Sequence, residues 1–144
     1  MRAEKKEPVI LLVENDEDDV FFFRRALAAL KFPGSVRVVG SVTQARAYMA
    51  GTDEFHDRSY YPLPDLIVSD YKLHGGTGAD FFHWLRKNPG YAEIPYVLLT
   101  GSATSDEGQE AVRLGARAFF SKTSAFDQMK RCVENILRHL PSQS

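Results

Sequence analysis

The sequence predicts an α/β fold, a doubly wound five-stranded parallel sheet built from five consecutive strand–helix units, (βα)5. Five short apolar runs, rich in β-branched and aromatic residues, have the composition of strands that are buried on both faces. Amphipathic segments with apolar residues at helical spacing lie between these runs. Strands that alternate with helices in this way form a parallel sheet with helices on both faces.

The predicted elements follow one another along the chain. The strands are residues 9–13, 36–39, 66–69, 96–100 and 116–120. Ser41 with Gln44, and Ser124 with Asp127, fit capping boxes at helix starts. Glycine or proline turns at 33–34, 51, 88–90 and 115 mark helix ends. The first and last helices each carry one apolar stripe, formed by Val20, Phe23, Leu27 and Leu30 and by Phe126, Met129, Val133, Ile136 and Leu140.

One connection is much longer than the others. Residues 51–64, "GTDEFHDRSYYPLP", are polar and aromatic and precede the third strand. Loops of this length are often functional, and a surface insertion without a role fits equally well. We expect a flexible N-terminus at 1–7, a single domain at 8–140 and a C-terminal tail at 141–144.

Composition excludes several classes of protein. A chain of 144 residues with 44% hydrophobic residues can form one domain with a core, and its formal charge of −1 gives no support for nucleic-acid binding. One cysteine excludes an internal disulfide and fits a reducing compartment. No run approaches the roughly 18 apolar residues of a membrane span. The four histidines lack metal-ligand spacing. We therefore expect a soluble, cytoplasmic domain.

The polar residues that matter most stand where strands end. In an open α/β sheet the site lies beyond the carboxyl ends of the strands, where the winding reverses. The acids at 17–19 are expected to form a solvated first helical turn. The residues expected to converge are Glu14, Asn15 and Asp16 after the first strand, Asp70 after the third, Thr100 at the end of the fourth and Lys122 after the fifth. Such an acidic pocket with one lysine and one hydroxyl requires a cation.

Four stretches of the chain resemble successive motifs of the receiver domain of two-component response regulators, which has a flavodoxin-like fold. They are "ILLVENDEDD", "PDLIVSDYKLHGGTGADFFHWLR", "IPYVLLTGSA" and "GARAFFSK". The resemblance covers nearly the whole chain. It implies that Asp70 is the phosphoacceptor, that Thr100 and Lys122 contact the phosphoryl group, and that Phe119 is the aromatic switch that turns inward as Thr100 moves.

The resemblance also implies a Mg²⁺ site. Its ligands would be Glu14, Asn15, Asp70 and the backbone carbonyl of Lys72. Asn15 stands where the family has an acid, so its carbonyl oxygen can still coordinate but one full charge is lost. Asp16 either compensates as a ligand or serves only as the N-cap of the first helix.

Three consecutive phenylalanines stand at 21–23. Phe23 lies on the core stripe, and one helix cannot bury all three side chains in the same direction. Phe21 or Phe22 must therefore reach the surface or a groove. Either packing beneath a neighbouring helix or docking of a partner explains this, because receivers resemble one another in using the first helix for kinase contact.

The resemblance implies a stand-alone receiver that accepts a phosphoryl group on Asp70 from a sensor histidine kinase or a histidine phosphotransfer protein. It would be no enzyme beyond assisting its own phosphotransfer and dephosphorylation. Since the chain ends soon after the fifth helix, we expect output through protein partners, and a homodimer stays open. The long link and the residue after Lys122 also resemble the single-domain receivers of bacterial phytochrome-type kinases.

Two other interpretations remain. A receiver-like interaction module could work without phosphate, because Asn15 weakens the metal site. A flavodoxin-like cofactor binder would need a phosphate-cradling loop after the first strand, and the sequence has none there.

Overall fold

The computed structural model describes residues 7–101 and 105–141. The expected flexible residues at the N-terminus and the end of the tail, 1–6 and 142–144, lie outside these ranges, as do 102–104 at the end of the third quoted stretch. The elements run in the order β1 Val9–Val13, α1 Glu17–Ala29, β2 Ser35–Val39, α2 Val42–Ala50, β3 Leu66–Ser69, β4 Lys72–Leu73, β5 Gly76–Thr77, α3 Gly78–Arg86, β6 Tyr96–Thr100, α4 Ser105–Arg113, β7 Ala118–Ser121 and α5 Phe126–Leu137.

The main sheet has five parallel strands in the order β2-β1-β3-β6-β7. The winding reverses at β1, since the chain moves to one side of β1 for β2 and to the other side for β3. This confirms the predicted doubly wound (βα)5 fold. The loops after β1 and β3 lie side by side at the switch point, where ligands bind in folds of this kind.

The sheet separates two apolar cores. Alternate residues of β1 point to opposite faces, so that Ile10 and Leu12 lie in one core with apolar residues of α1 and α5, while Leu11 and Val13 lie in the other with apolar residues of α2, α3 and α4. Each face is therefore covered by helices, which explains why the strands are continuous apolar runs. Among the described residues, no helix is long and apolar enough to cross a membrane.

The structure corrects the bounds of two predicted strands and adds a hairpin. β2 begins one residue earlier than expected, at Ser35. The last strand lies at 118–121 rather than 116–120, because Ala116 hydrogen-bonds to Ala111 in the turn that ends α4. A short antiparallel hairpin, β4–β5, was not predicted and holds the segment directly after β3.

Helix caps agree only in part with the prediction. The Ser41 hydroxyl accepts from the backbone N–H of Gln44. The predicted box at the start of α5 is wrong, because Ala125 is the N-cap there and no side chain caps that helix. A capping box does form at the start of α3, between Thr77 and Asp80.

The long 51–64 segment is packed rather than loose. It contains a 3-10 helix at Asp53–Phe55. The rings of Tyr48, Phe55 and Tyr61 lie 5.1–5.9 Å apart by their centroids. Arg58 donates hydrogen bonds to the carbonyls of Met49 and Tyr61. These contacts favour a structural role for the part of the segment that faces the core.

Candidate functional site

The loops that follow β1 and β3 bring two carboxylates together. Val13 pairs with Ser69 in the parallel register, so Glu14 and Asp70 leave the sheet side by side. Backbone hydrogen bonds fix both positions, from Glu14 N–H to the Val39 carbonyl at 2.9 Å and from Asp70 N–H to the Val13 carbonyl at 3.0 Å. Both carboxylates are buried, with residue exposures of 5% and 9%. The predicted convergence of strand ends is thus observed for these residues.

The ammonium group of Lys122 contacts three carboxylates. Its Nζ lies 2.7 Å from Glu14 Oε1, 2.6 Å from Asp19 Oδ2 and 3.2 Å from Asp70 Oδ2. The Asp19 contact corrects the expectation that residues 17–19 form a merely solvated turn. The contact to Asp70 is the longest of the three and therefore the weakest by geometry.

Burial sets the electrostatics of this cluster. Burial raises the pKa of the Glu14 carboxyl, and the hydrogen bond from Lys122 offsets that rise only in part. For the Lys122 ammonium, burial alone would lower the pKa, but hydrogen bonds to Asp19 and Glu14 outweigh it and raise the pKa. The lysine is therefore charged at neutral pH and serves as the counter-ion of the buried acids.

A buried hydroxyl network, absent from the sequence prediction, supports the backbone around Asp70. The Ser69 hydroxyl donates to the Asp70 carbonyl at 2.8 Å, and the Tyr96 hydroxyl donates to the Gly78 carbonyl at 2.7 Å. A Cβ at Gly78 would overlap the Asp70 carbonyl oxygen, so only glycine permits this close approach. The Asp70 Oδ1 atom also accepts from the Tyr71 N–H at 2.7 Å. Hydrogen bonds thus hold the backbone and one carboxylate oxygen of Asp70 in place.

Thr100 and Phe119 lie on the neighbouring strands β6 and β7. Thr100 ends β6, is buried, and its carbonyl accepts from the Lys122 N–H at 3.0 Å. Phe119 lies on β7, half-buried, with its ring against the backbone of α4 at Gly108. A Cβ added to Gly108 would overlap that ring, so the glycine makes the space that Phe119 occupies.

The remaining metal-site candidates surround the carboxylates. Asp16 is confirmed as the N-cap of α1, since its Oδ1 accepts from the N–H groups of Asp18 and Asp19. The Asn15 amide nitrogen lies 3.1 Å from His74 Nε2. Lys72 lies in β4 of the hairpin that follows Asp70, and its side chain is exposed.

The residues present fit a magnesium ion. Glu14 and Asp70 already share one cation, the Lys122 ammonium, and both offer the hard oxygen atoms that Mg²⁺ prefers. Within 7–101 and 105–141, no three histidine, cysteine or acidic side chains form a metal-binding group. The Asn15 amide and the Lys72 carbonyl are the neutral oxygens that the sequence offers beside these two acids.

The three phenylalanines of α1 have different environments. Phe23 is buried, and Phe22 packs on Phe126 of α5 with ring centroids 5.8 Å apart. Phe21 is 66% exposed. It borders a shallow cleft of about 490 Å³ lined by Asp18, Asp19, Phe21, Phe22, Lys122, Thr123 and Ser124. The prediction that one of the three reaches the surface is confirmed for Phe21, and Phe22 follows the packing alternative.

Comparison of the sequence with known families gives one consistent result. Residues 10–134 match the response regulator receiver domain. Among curated proteins, the probable methanogenesis regulatory protein FilR2 of Methanothrix harundinacea is 26% identical over 134 residues, which are 92% of this chain and 84% of that protein. The luminescence regulatory protein LuxO of Vibrio campbellii is 32% identical over 76 residues, and the match covers 53% of this chain but only 16% of LuxO.

Solved structures agree with the sequence comparison. The phosphorylated cyanobacterial phytochrome response regulator RcpA has a TM-score of 0.83 and 25% identity, with 96% of both chains covered. The bacteriophytochrome response regulator RtBRR has a TM-score of 0.76 and 29% identity, with 90% of this chain and 77% of that chain covered. With the family match over most of its length and the acidic edge at the switch point, the chain belongs to the response regulator receiver domain family of two-component signalling.

Proposed function

We propose that the chain is a phosphoacceptor that takes a phosphoryl group on Asp70 from a phosphohistidine of a sensor histidine kinase or a histidine phosphotransfer protein. One observation carries the proposal. The Asp70 carboxylate is buried at the switch point, beside Glu14 and in contact with Lys122. An acid with a lysine ammonium in contact is suited to accept a phosphoryl group, because the cation offsets the further negative charge that the group brings.

Each residue has a defined part in this reaction. An oxygen of Asp70 forms the new O–P bond while the P–N bond of the donor breaks and the imidazole leaves with the electron pair. Lys122 offsets charge on the phosphoryl oxygens, and the Thr100 hydroxyl donates a hydrogen bond to one of them. Glu14, Asn15 Oδ1 and the Lys72 carbonyl would hold Mg²⁺ together with Asp70. When bound, the ion neutralises charge on the transferring group.

Phe21 is proposed as part of the surface on which the phosphodonor protein docks. Its exposed ring lies in the same cleft as Lys122, so a partner seated on Phe21 would place its phosphohistidine close to Asp70. The similarity to RcpA and RtBRR supports a phytochrome-type histidine kinase as the donor. Output would then pass to protein partners in the cytoplasm.

The test is phosphorylation by a small phosphodonor, acetyl phosphate, with Mg²⁺, followed by mass spectrometry of the intact protein. The native chain should gain one phosphoryl group, Asp70→Asn should gain none, and Asp127→Asn, which changes an exposed acid of α5, should match the native yield. An unchanged yield in Asp70→Ala would refute the assignment. No yield in the native chain would favour the phosphorylation-independent interaction module.

A further inference from the structure

The side chain of Asn15 has two ends with opposite chemistry. Its Oδ1 atom only accepts hydrogen bonds and can bind a cation, whereas its Nδ2 group only donates and repels one. A carboxylate at this position would offer oxygen whichever way it turned. An amide is useful to a metal ion only if something fixes which end faces the site.

His74 supplies that constraint. Asn15 Nδ2 lies 3.1 Å from His74 Nε2. Because Nδ2 can only donate, this contact is a hydrogen bond in the tautomer of His74 that carries its proton on Nδ1 and accepts at Nε2. The nitrogen end of the amide is then committed to His74, and Oδ1 is the end that Asn15 can offer to a cation.

Backbone hydrogen bonds of His74 and of Glu14, the neighbour of Asn15, bring the two side chains together. The His74 carbonyl accepts from the N–H of Val42 at 3.1 Å, and His74 forms a β-bridge with Ser41. The turn that presents His74 requires Gly75, whose φ is +79°. Asn15 follows Glu14, whose N–H is bonded to the carbonyl of β2.

We propose that His74 is a positioning residue, which orients the Asn15 amide so that its oxygen serves as a neutral ligand for the divalent metal ion. The proposal rests on the metal assignment made above and adds a residue that does not itself touch the ion. Partners that orient metal ligands typically change metal affinity by about 10- to 100-fold when removed. We expect about tenfold here, since the contact is exposed.

The experiment is a double-mutant cycle on Mg²⁺ affinity of the unphosphorylated protein, measured by calorimetry. His74→Phe should weaken Mg²⁺ binding about tenfold in the native background. In the Asn15→Asp background both ends of residue 15 are oxygens, so His74→Phe should change the affinity less than twofold. His83→Phe, which changes an exposed histidine of α3, should have no effect in either background.

A second readout is independent of metal. Nitrogen-15 NMR at pH 8 should show the His74 tautomer protonated on Nδ1 in the native protein, and that preference should weaken in Asn15→Ala. A proton on Nε2 would overturn the proposal. So would an equal loss of Mg²⁺ affinity in both backgrounds, which would make His74 a direct ligand or a structural residue.

Failure of the proposal can be distinguished from failure of the proposed function. If the double-mutant coupling appears but Asp70 is not phosphorylated, only the phosphoacceptor assignment fails. If Asp70 is phosphorylated and His74→Phe leaves Mg²⁺ affinity unchanged, only the role of His74 fails. A native chain that binds no Mg²⁺ would overturn this inference together with the metal assignment.

Discussion

Replacing Lys122 by methionine should destabilise the metal-free protein much more than an ordinary surface substitution. The Lys122 side chain is only 16% exposed and compensates Glu14 at 4% exposure and Asp70 at 11%. Removing one partner of a buried ion pair costs about 3–5 kcal/mol, because the remaining charges stay buried without compensation. Asp19, at 39% exposure, can turn to water, so we expect the lower end, about 3 kcal/mol.

The assay is urea unfolding in chelator and in Mg²⁺. With a slope of about 1.5 kcal/mol/M, the loss in chelator corresponds to a midpoint roughly 2 M lower. Mg²⁺ should recover more free energy in Lys122→Met than in the native chain, because the ion no longer competes with the ammonium for the same oxygens. Lys130→Met, on the exposed face of α5, should stay within about 0.5 kcal/mol of native. A loss below about 1 kcal/mol, or equal recovery by Mg²⁺ in both proteins, would refute the reasoning.

The same variant should show a distinctive pH dependence. Burial already raises the pKa of Glu14 above 4.5 in the native fold. A carboxyl whose pKa is raised by folding stabilises the fold at pH below 4.5 and loses that contribution as pH rises through the folded pKa. Without Lys122 that pKa rises further, so the stability gap between variant and native should narrow as pH falls from 8 to 5. A difference in stability between the variant and the native chain that stays constant over this pH range would show that Glu14 does not cause the pH dependence.

Four further substitutions test separate parts of the structure. Asn15→Asp should tighten Mg²⁺ binding, and it should lower stability in chelator because a third close carboxylate repels the others by a few kcal/mol when no metal is bound. Unchanged Mg²⁺ affinity by calorimetry would show that Asn15 takes no part in metal binding. Gly108→Ala should destabilise the protein by about 1–3 kcal/mol in urea unfolding, because the added Cβ meets the Phe119 ring. Alanine has the better helix propensity, so a gain in stability would contradict that packing. Phe21→Ala should weaken kinase binding with little loss of stability and Phe22→Ala should do the reverse; loss of stability without a binding defect in both would favour packing alone.

The sequence was sufficient for the sheet because its strands are buried on both faces. A five-residue apolar run such as β1 is recognisable as a buried strand when the segment that follows it has apolar residues at helical spacing. The local sequence does not determine the ends of the edge strand β7, because pairing with β6 decides where that strand begins and ends. Arg117 precedes β7, and its backbone N–H donates a hydrogen bond to the Tyr96 carbonyl. Nothing in the local sequence indicates that hydrogen bond.

The parts of the site that the sequence missed depend on contacts between distant residues. Asp19 meets Lys122 across 103 positions of the chain, so helical spacing alone placed Asp19 in a solvated turn. Ser69 and Tyr96 lie within runs that the sequence predicts as apolar strands. The hydrogen bonds of their hydroxyls to the Asp70 and Gly78 carbonyls follow only from the folded structure. The hairpin at 72–77 is too short for a periodic pattern, although its Gly75-Gly76 pair is a turn signal.

The position of Lys122 suggests how the site could communicate with the surface of α1. The Lys122 ammonium contacts the carboxylates of Glu14, Asp19 and Asp70. Asp19 belongs to the first turn of α1, the helix that carries Phe21. A phosphoryl group on Asp70 would compete for that ammonium with a larger negative charge than any single carboxylate. As Lys122 turns toward the phosphoryl group, Asp19 loses its partner two residues from the exposed ring. The proposed docking surface would then differ between the two states of Asp70, which would allow the donor to leave after transfer.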